Sequence, residues 1–227
     1  MYRFSRIERV VHQYKLSINS ILAPIRRRLI NNTDFSIISN NCWGGICYEY
    51  YGLPKLSPTV GMYFYAEDYI EFIKNIRHYV STEIEIVNAS DSKHYDELKA
   101  KGQDNVPVGI LDNVEIIFLH YKKPEIAKSK WDERVKRINW DNLIFKFSYM
   151  NDCTDELIDE FEIITKDQKS FVFANRQFPE YENEIAMPYL QDDGQIGDDT
   201  FYWNRKFDVT GFLNTPKEEI KQYWNRK

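Results

Sequence analysis

The chain has 227 residues, 43% hydrophobic and 29% charged, enough for one globular domain with its own core. Its net charge of −5 is uneven: residues 1–32 hold Arg3, Arg6, Arg9, Lys15, Arg26, Arg27 and Arg28 against Glu8, a net +6, leaving −11 for the rest. An acidic body disfavours nucleic acid as a partner, the basic segment being the exception, and three scattered cysteines without a CxxC pair argue against a disulfide framework or a structural zinc site.

No secretory signal precedes the body, and no apolar run reaches the roughly 18 residues of a bilayer span, so the expected location is cytoplasmic. Phe4, Ile7, Val11, Tyr14, Ile18, Ile21 and Ile25 recur at helical spacing with arginines opposite, and Pro24 should break or kink that helix. Residues 1–32 therefore read as a basic amphipathic segment suited to a membrane surface. The alternatives are a helix packed on the body or one holding a second copy in a homo-oligomer. Residues 33–227 read as a single α/β domain.

A buried strand at 35–39 leads into Asn40-Asn41-Cys42-Trp43-Gly44-Gly45, then a short helix 46–51 ended by Gly52. Prolines make 53–58 irregular. A helix is expected over 66–79, a strand over 81–87 and a polar stretch with a short helix over 88–106. Next comes a hairpin, 108–111 and 114–119, turning at Asp112-Asn113 and delivering His120 at its end. A charged helix 123–139, a strand 143–147, a helix capped by Asp152 or Thr154 and running to 161, and a strand 170–174 follow. The acidic stretch 180–199 reads as a solvated loop without calcium-loop spacing. Thr215-Pro216-Lys217-Glu218 reads as a capping box opening a terminal helix. The alternation predicts an α/β fold with a mixed, mostly parallel sheet flanked by helices.

Cys42 is the candidate nucleophile. A following helix N-terminus would favour its thiolate, and the Gly44 and Gly45 amides would meet an oxyanion. Asn40 and Asn41 would add hydrogen bonds. The rival reading is a small buried hydrophobe. His120 is the best base if its strand is a parallel neighbour of the Cys42 strand, and Asp152 is placed to orient it. Trp131, Arg134 and Arg137 share a helix face, where the arginines would grip phosphate and the tryptophan would stack on a ring; the rival is a salt-bridged surface helix. No metal site and no tightly bound cofactor is expected, and nucleotide-loop and hydrolase-elbow motifs are missing.

Several segments together carry a likeness: the 37–45 run, Gly52-Leu53-Pro54 with Ser57-Pro58-Thr59-Val60-Gly61, Pro107-Val108-Gly109 with Phe118-Leu119-His120-Tyr121, and Lys130-Trp131 with Arg134 through Trp140. They resemble a bacterial family of exopolysaccharide and capsule biosynthesis proteins. The resemblance implies a part in surface-polysaccharide assembly, and the leading reading is a membrane-adjacent transferase acting on a sugar or lipid-linked sugar. Ser57 and Trp43 join Asn40, Asn41, Gly44 and Gly45 in the expected substrate-binding set. A second likeness, to papain-like cysteine hydrolases, implies Cys42, His120 and Asp152 as nucleophile, base and orienter. The leading expectation is acyl transfer to a sugar through Cys42, with acyl-CoA as donor. The rivals are a metal-independent glycosyltransferase using a nucleotide sugar, a cysteine hydrolase, and a non-enzymatic assembly scaffold.

Overall fold

The computed structural model describes residues 5–201 and 203–225; Arg3 and Phe4, counted above with the amphipathic segment, lie outside them. The segment is two helices, α1 (Arg6–Ser17) and α2 (Asn19–Arg27), joined at Ile18. Ser5 and Glu8 form a reciprocal capping box at the start of α1. The break falls at Ile18, not at Pro24, which lies inside α2. The apolar stripe faces outward: Ile7, Val10, Val11, Tyr14, Ile21 and Ile25 are exposed, while His12, Asn19 and Ala23 face the body.

Four strands, β1 (Ser36–Ser39), β5 (Leu143–Ser148), β6 (Lys169–Ala174) and β7 (Glu184–Ala186), form an all-parallel sheet in that order. Between β1 and β5 the chain inserts a separate antiparallel sheet of β2 (Glu85–Asn88), β3 (Pro107–Leu111) and β4 (Val114–Ile117). The expected mixed sheet is therefore two sheets, one parallel and one antiparallel. Asp112 turns the β3–β4 hairpin with φ 53°, a conformation that Asp tolerates.

Side chains alternate across the parallel sheet and divide the core. One face sets Ile38, Phe145, Phe147 and Val172 against α4 (Ala66–Lys74), α7 (Pro124–Val135), α8 (Asp155–Thr165) and the antiparallel sheet. The other sets Ile37, Ile144, Phe171 and Phe173 against α3 (Trp43–Tyr51), α10 (Val209–Asn214) and α11 (Ile220–Trp224). Two short helices, α5 (Ile76–Ser81) and α6 (Tyr95–Ala100), flank β2, and α9 (Trp203–Lys206) adds Trp203 to the second core.

Several boundaries move for local reasons. The expected helix 66–79 breaks at Asn75 (φ −129°, ψ 41°), so Ser81 ends α5 and β2 starts only at Glu85. A short strand within the acidic stretch, β7, pairs with β6 and is missed by reading 180–199 as loop. The capping box at 215–218 does not form. Thr215 instead closes α10, its Oγ1 donating to the Gly211 carbonyl at 2.8 Å. The buried Lys169 ammonium donates to the carbonyls of Leu213 and Thr215 at 3.0 and 2.8 Å, satisfying that helix end.

Residues 61–64 stitch the two sheets together. Tyr63 exchanges backbone hydrogen bonds with Ile117 (3.0 and 2.8 Å), the Phe64 amide donates to the Asn40 carbonyl (2.9 Å), and the His120 amide donates to the Gly61 carbonyl (3.4 Å). Gly61 has φ +78°, and a Cβ there would meet the Tyr121 ring at 3.3 Å, so the stitch requires glycine.

Candidate functional site

The chain leaves β1 at Ser39, and Cys42 stands as the N-cap of α3, the usual crevice at the carboxyl ends of parallel strands. The helix begins at Trp43, three residues earlier than the sequence implies, so Gly44 and Gly45 lie in its first turn and not in an open loop. Their absent side chains allow close packing. A Cβ on Gly44 would sit 3.2 Å from Ile37 Cγ2, and one on Gly45 3.0 Å from Val60 Cγ1.

His120 arrives from the other sheet. β4 ends at Ile117, and His120 follows in a turn held by the hydrogen bond its backbone N–H donates to the Gly61 carbonyl. The two strands are not neighbours, as the sequence reading required; the 61–64 stitch brings the ends together. Cys42 Sγ lies 3.3 Å from His120 Nε2 and 3.8 Å from the Met62 carbonyl. Cys42 is half-buried and His120 is exposed. A cavity of about 490 Å³ opens on the pair, with Asn41, Lys101, Asn151 and Asp199 among its walls.

Under the pair lies a charged network. Lys146, fully buried in β5, donates to Asn41 Oδ1 at 2.9 Å and also to Ser148 Oγ and Asp199 Oδ2. The same Asp199 oxygen accepts from Ser148 Oγ at 2.6 Å and Asn41 Nδ2 at 2.8 Å. Asn41 Oδ1 in turn accepts the Trp43 amide at 3.1 Å, which fixes the start of α3 and hence Cys42. Burial lowers the Lys146 ammonium from its usual range, with Asp199 opposing.

Burial pushes the Cys42 thiol up to about 12, helped by Asp199 and then Asp198, with Lys146 pulling the other way. The resting pair therefore keeps its proton on sulfur, contrary to the thiolate that the helix N-terminus suggested. A base is needed to remove that proton, and His120 is in hydrogen-bond reach.

Of the other residues expected at the site, Asn41 lines this cavity and the rest do not. Asp152 makes no hydrogen bond to His120; its amide donates to Gln195 Oε1 at 3.1 Å, and its φ of 64° follows Asn151 at 55°. These two left-handed residues turn the chain after β5 and set Asn151 into the cavity wall. Thr154, not Asp152, is the N-cap of α8. Asn40 is buried, its Nδ2 donating to the Ser148 carbonyl at 3.2 Å. Trp43 is core, edge-on to Phe171 and Trp203. Ser57 is buried against Thr59.

Trp131 is 1% exposed in the core against Phe72 and cannot stack on a ligand. Arg134 donates to the Val60 carbonyl and, at 2.6 Å, to Tyr121 Oη, bracing the 61–64 stitch. Arg137 pairs with Glu133. The phosphate grip is thus not assembled, because one arginine is committed to backbone and the other to its helix neighbour.

Sequence reasoning missed Lys146, Asp199, Asn151 and Lys101. Lys146 does leave a signal: it interrupts Leu143-Ile144-Phe145 and Phe147 in a central strand, where both faces are buried and a cation demands an acid. Asp199 sat in a stretch read as solvated, yet it is 2% exposed. Among the described residues no group of three or more His, Cys, Asp or Glu is arranged for a metal ion, and no helix is long and apolar enough to cross a membrane.

Residues 12–214 match a domain of unknown function, DUF1919. An uncharacterized protein of Haemophilus influenzae is 26% identical over 222 residues, covering 94% of this chain and 99% of the relative. The matched stretch runs from α1 to the end of α10 and holds Cys42, His120, Lys146 and Asp199. This chain belongs to the DUF1919 domain family.

Proposed function

We propose that this protein is a cysteine-dependent acyltransferase that forms a thioester on Cys42 and passes the acyl group to a sugar hydroxyl of a surface-polysaccharide precursor. The observation that carries the chemistry is the 3.3 Å approach of Cys42 Sγ to His120 Nε2 on a cavity open to solvent. The sugar acceptor rests on the motif resemblance to exopolysaccharide and capsule biosynthesis proteins. The corresponding location is the cytoplasmic face of a membrane.

In the first half-reaction Sγ attacks the donor carbonyl carbon while His120 Nε2 takes the thiol proton. The C–S bond forms, and the tetrahedral oxyanion faces the open end of α3. Collapse breaks the bond to the donor thiol, which leaves with the proton from His120. In the second, the sugar hydroxyl gives its proton to His120 and attacks the thioester. A C–O bond forms, the C–S bond breaks, and the Cys42 thiol recovers its proton. Lys101, at the cavity wall, supplies a cation for an anionic group of donor or acceptor.

The glycosyltransferase rival loses support because Arg134 and Arg137, its diphosphate ligands, are engaged elsewhere. The test is intact-mass spectrometry after incubation with acetyl-CoA or an activated acyl ester. We expect an acyl adduct on Cys42, discharged by an added sugar acceptor and absent in Cys42→Ala. An unmodified wild-type chain under both donors refutes the covalent mechanism.

A further inference from the structure

We infer that the outward face of α1–α2 docks on an anionic lipid bilayer, and that the substrate reaching Cys42 is carried there on a lipid. The second clause rests on the reading of Cys42 as nucleophile; the first does not.

The two helices present their apolar side chains away from the body. Ile7 is 76% and Ile21 71% exposed, with Val10, Tyr14 and Ile25 exposed beside them. On α1 these residues fall at i, i+3 and i+7, so they form one stripe. The inward side carries His12, whose Nε2 donates to Thr200 Oγ1 at 2.9 Å and whose ring stacks on Phe201 at 3.9 Å. The Thr200 hydroxyl is itself donated to Asp198 at 2.5 Å, which leaves it free only to accept from His12. The outward orientation is thus fixed by specific inward contacts. An apolar stripe left in water marks an interaction surface.

Charge selects the occupant. Arg6 and Lys15 lie about 90° to either side of the stripe on α1, and Arg28 follows α2. The segment is net +6 on a body of −11. Apolar insertion flanked by cations fits a bilayer carrying anionic headgroups. A second copy placed face to face would set these cations against their own equivalents.

Position supplies the substrate class. α1 separates the stripe from the Cys42 cavity, its other side contributing His12, Gln13 and Leu16 to the cavity wall. Docking would hold Cys42 about one helix diameter, roughly 10–12 Å, from the headgroups. A reacting group on a short headgroup spacer spans that distance, whereas a freely dissolved substrate gains nothing from it.

The test combines vesicle co-sedimentation with site-specific labelling. Vesicles are phosphatidylcholine alone or phosphatidylcholine with phosphatidylglycerol. The variant carries Val10→Asn, Tyr14→Asn and Ile21→Asn together, all at exposed positions. Wild type and Cys42→Ala should bind the anionic vesicles equally, and the triple variant at least tenfold more weakly. Maleimide displayed on a vesicle lipid should label Cys42 of wild type at least tenfold faster than that of the triple variant. Soluble maleimide should label both equally, because Cys47 and Cys153 are buried. Equal vesicle binding by wild type and triple variant, or a wild-type dimer that the triple variant loses without lipid, overturns the docking. Slow labelling of both by soluble maleimide overturns instead the reactivity of Cys42, leaving the binding result intact.

Discussion

Cys42 and His120 are 78 residues apart in sequence and meet at 3.3 Å between Sγ and Nε2. They come from different sheets, so their meeting depends on the 61–64 strand-like stitch that bonds to Asn40 on one side and Ile117 on the other. The pair is a thiol and a base, since burial and two aspartates hold the proton on sulfur.

The first prediction concerns that proton. With the thiol pushed up to about 12, alkylation of Cys42 by iodoacetamide should rise steadily from about pH 7 to 9 without a neutral plateau. His120→Ala should lower the rate at pH 7 by roughly a hundredfold. A plateau below pH 7 would mean that a thiolate–imidazolium pair exists at rest.

The buried Lys146–Asp199 pair gives the second. Lys146→Met or Asp199→Ala alone strands a charge where Lys146 is 0% and Asp199 2% exposed. Each should cost about 3–5 kcal/mol in urea unfolding. The double variant should cost clearly less than the two singles together, by a coupling of about 1–3 kcal/mol. Additive losses would show that the network does not act as a unit.

Glu184 gives a prediction with a sign. Burial, then Glu162 and Glu180, raise its carboxyl to about 8, and neither of its oxygens has a partner in the protein. The folded chain holds a proton that the unfolded chain releases above about pH 4.3. Stability from this group is complete below that value and is lost as pH rises through about 8. Glu184→Gln should therefore leave stability unchanged near pH 4 and raise it near pH 8. The gain should be on the order of 1 kcal/mol once solvent screening is allowed for. Thermal melts across that range decide it, and a gain that shrinks with pH would contradict the assignment.

Trp131 and Arg137 share a helix but not a role. Trp131→Ala empties a core site and should cost about 3–5 kcal/mol. Arg137→Ala removes one surface ion pair and should leave the melting temperature and Cys42 labelling unchanged. A loss of labelling on Arg137→Ala would restore that side chain to the site.

The local pattern of the sequence carried much of the framework. β1, β5 and β6 were legible as apolar runs, and the β3–β4 hairpin from its Asp112-Asn113 turn, because backbone pairing there follows side-chain periodicity. Cys42 and His120 stood out by residue type at element ends. The helix breaks at Ile18 and Asn75 carried no proline or glycine to mark them, and β7 is three residues long with polar neighbours.

By itself the sequence determined the alternation of strands and helices, the basic amphipathic segment, and which two residues were chemically fit to pair. Only the tertiary structure decided that they do pair, that Trp131 and Arg134 are structural, and that the apolar stripe of α1–α2 faces out. It also decided that Lys146 and Asp199 share one buried site across 53 residues. The division has a physical cause. Periodicity and residue chemistry are local properties, whereas a buried charge, a shifted thiol and a shared cavity depend on which distant segments exclude water together.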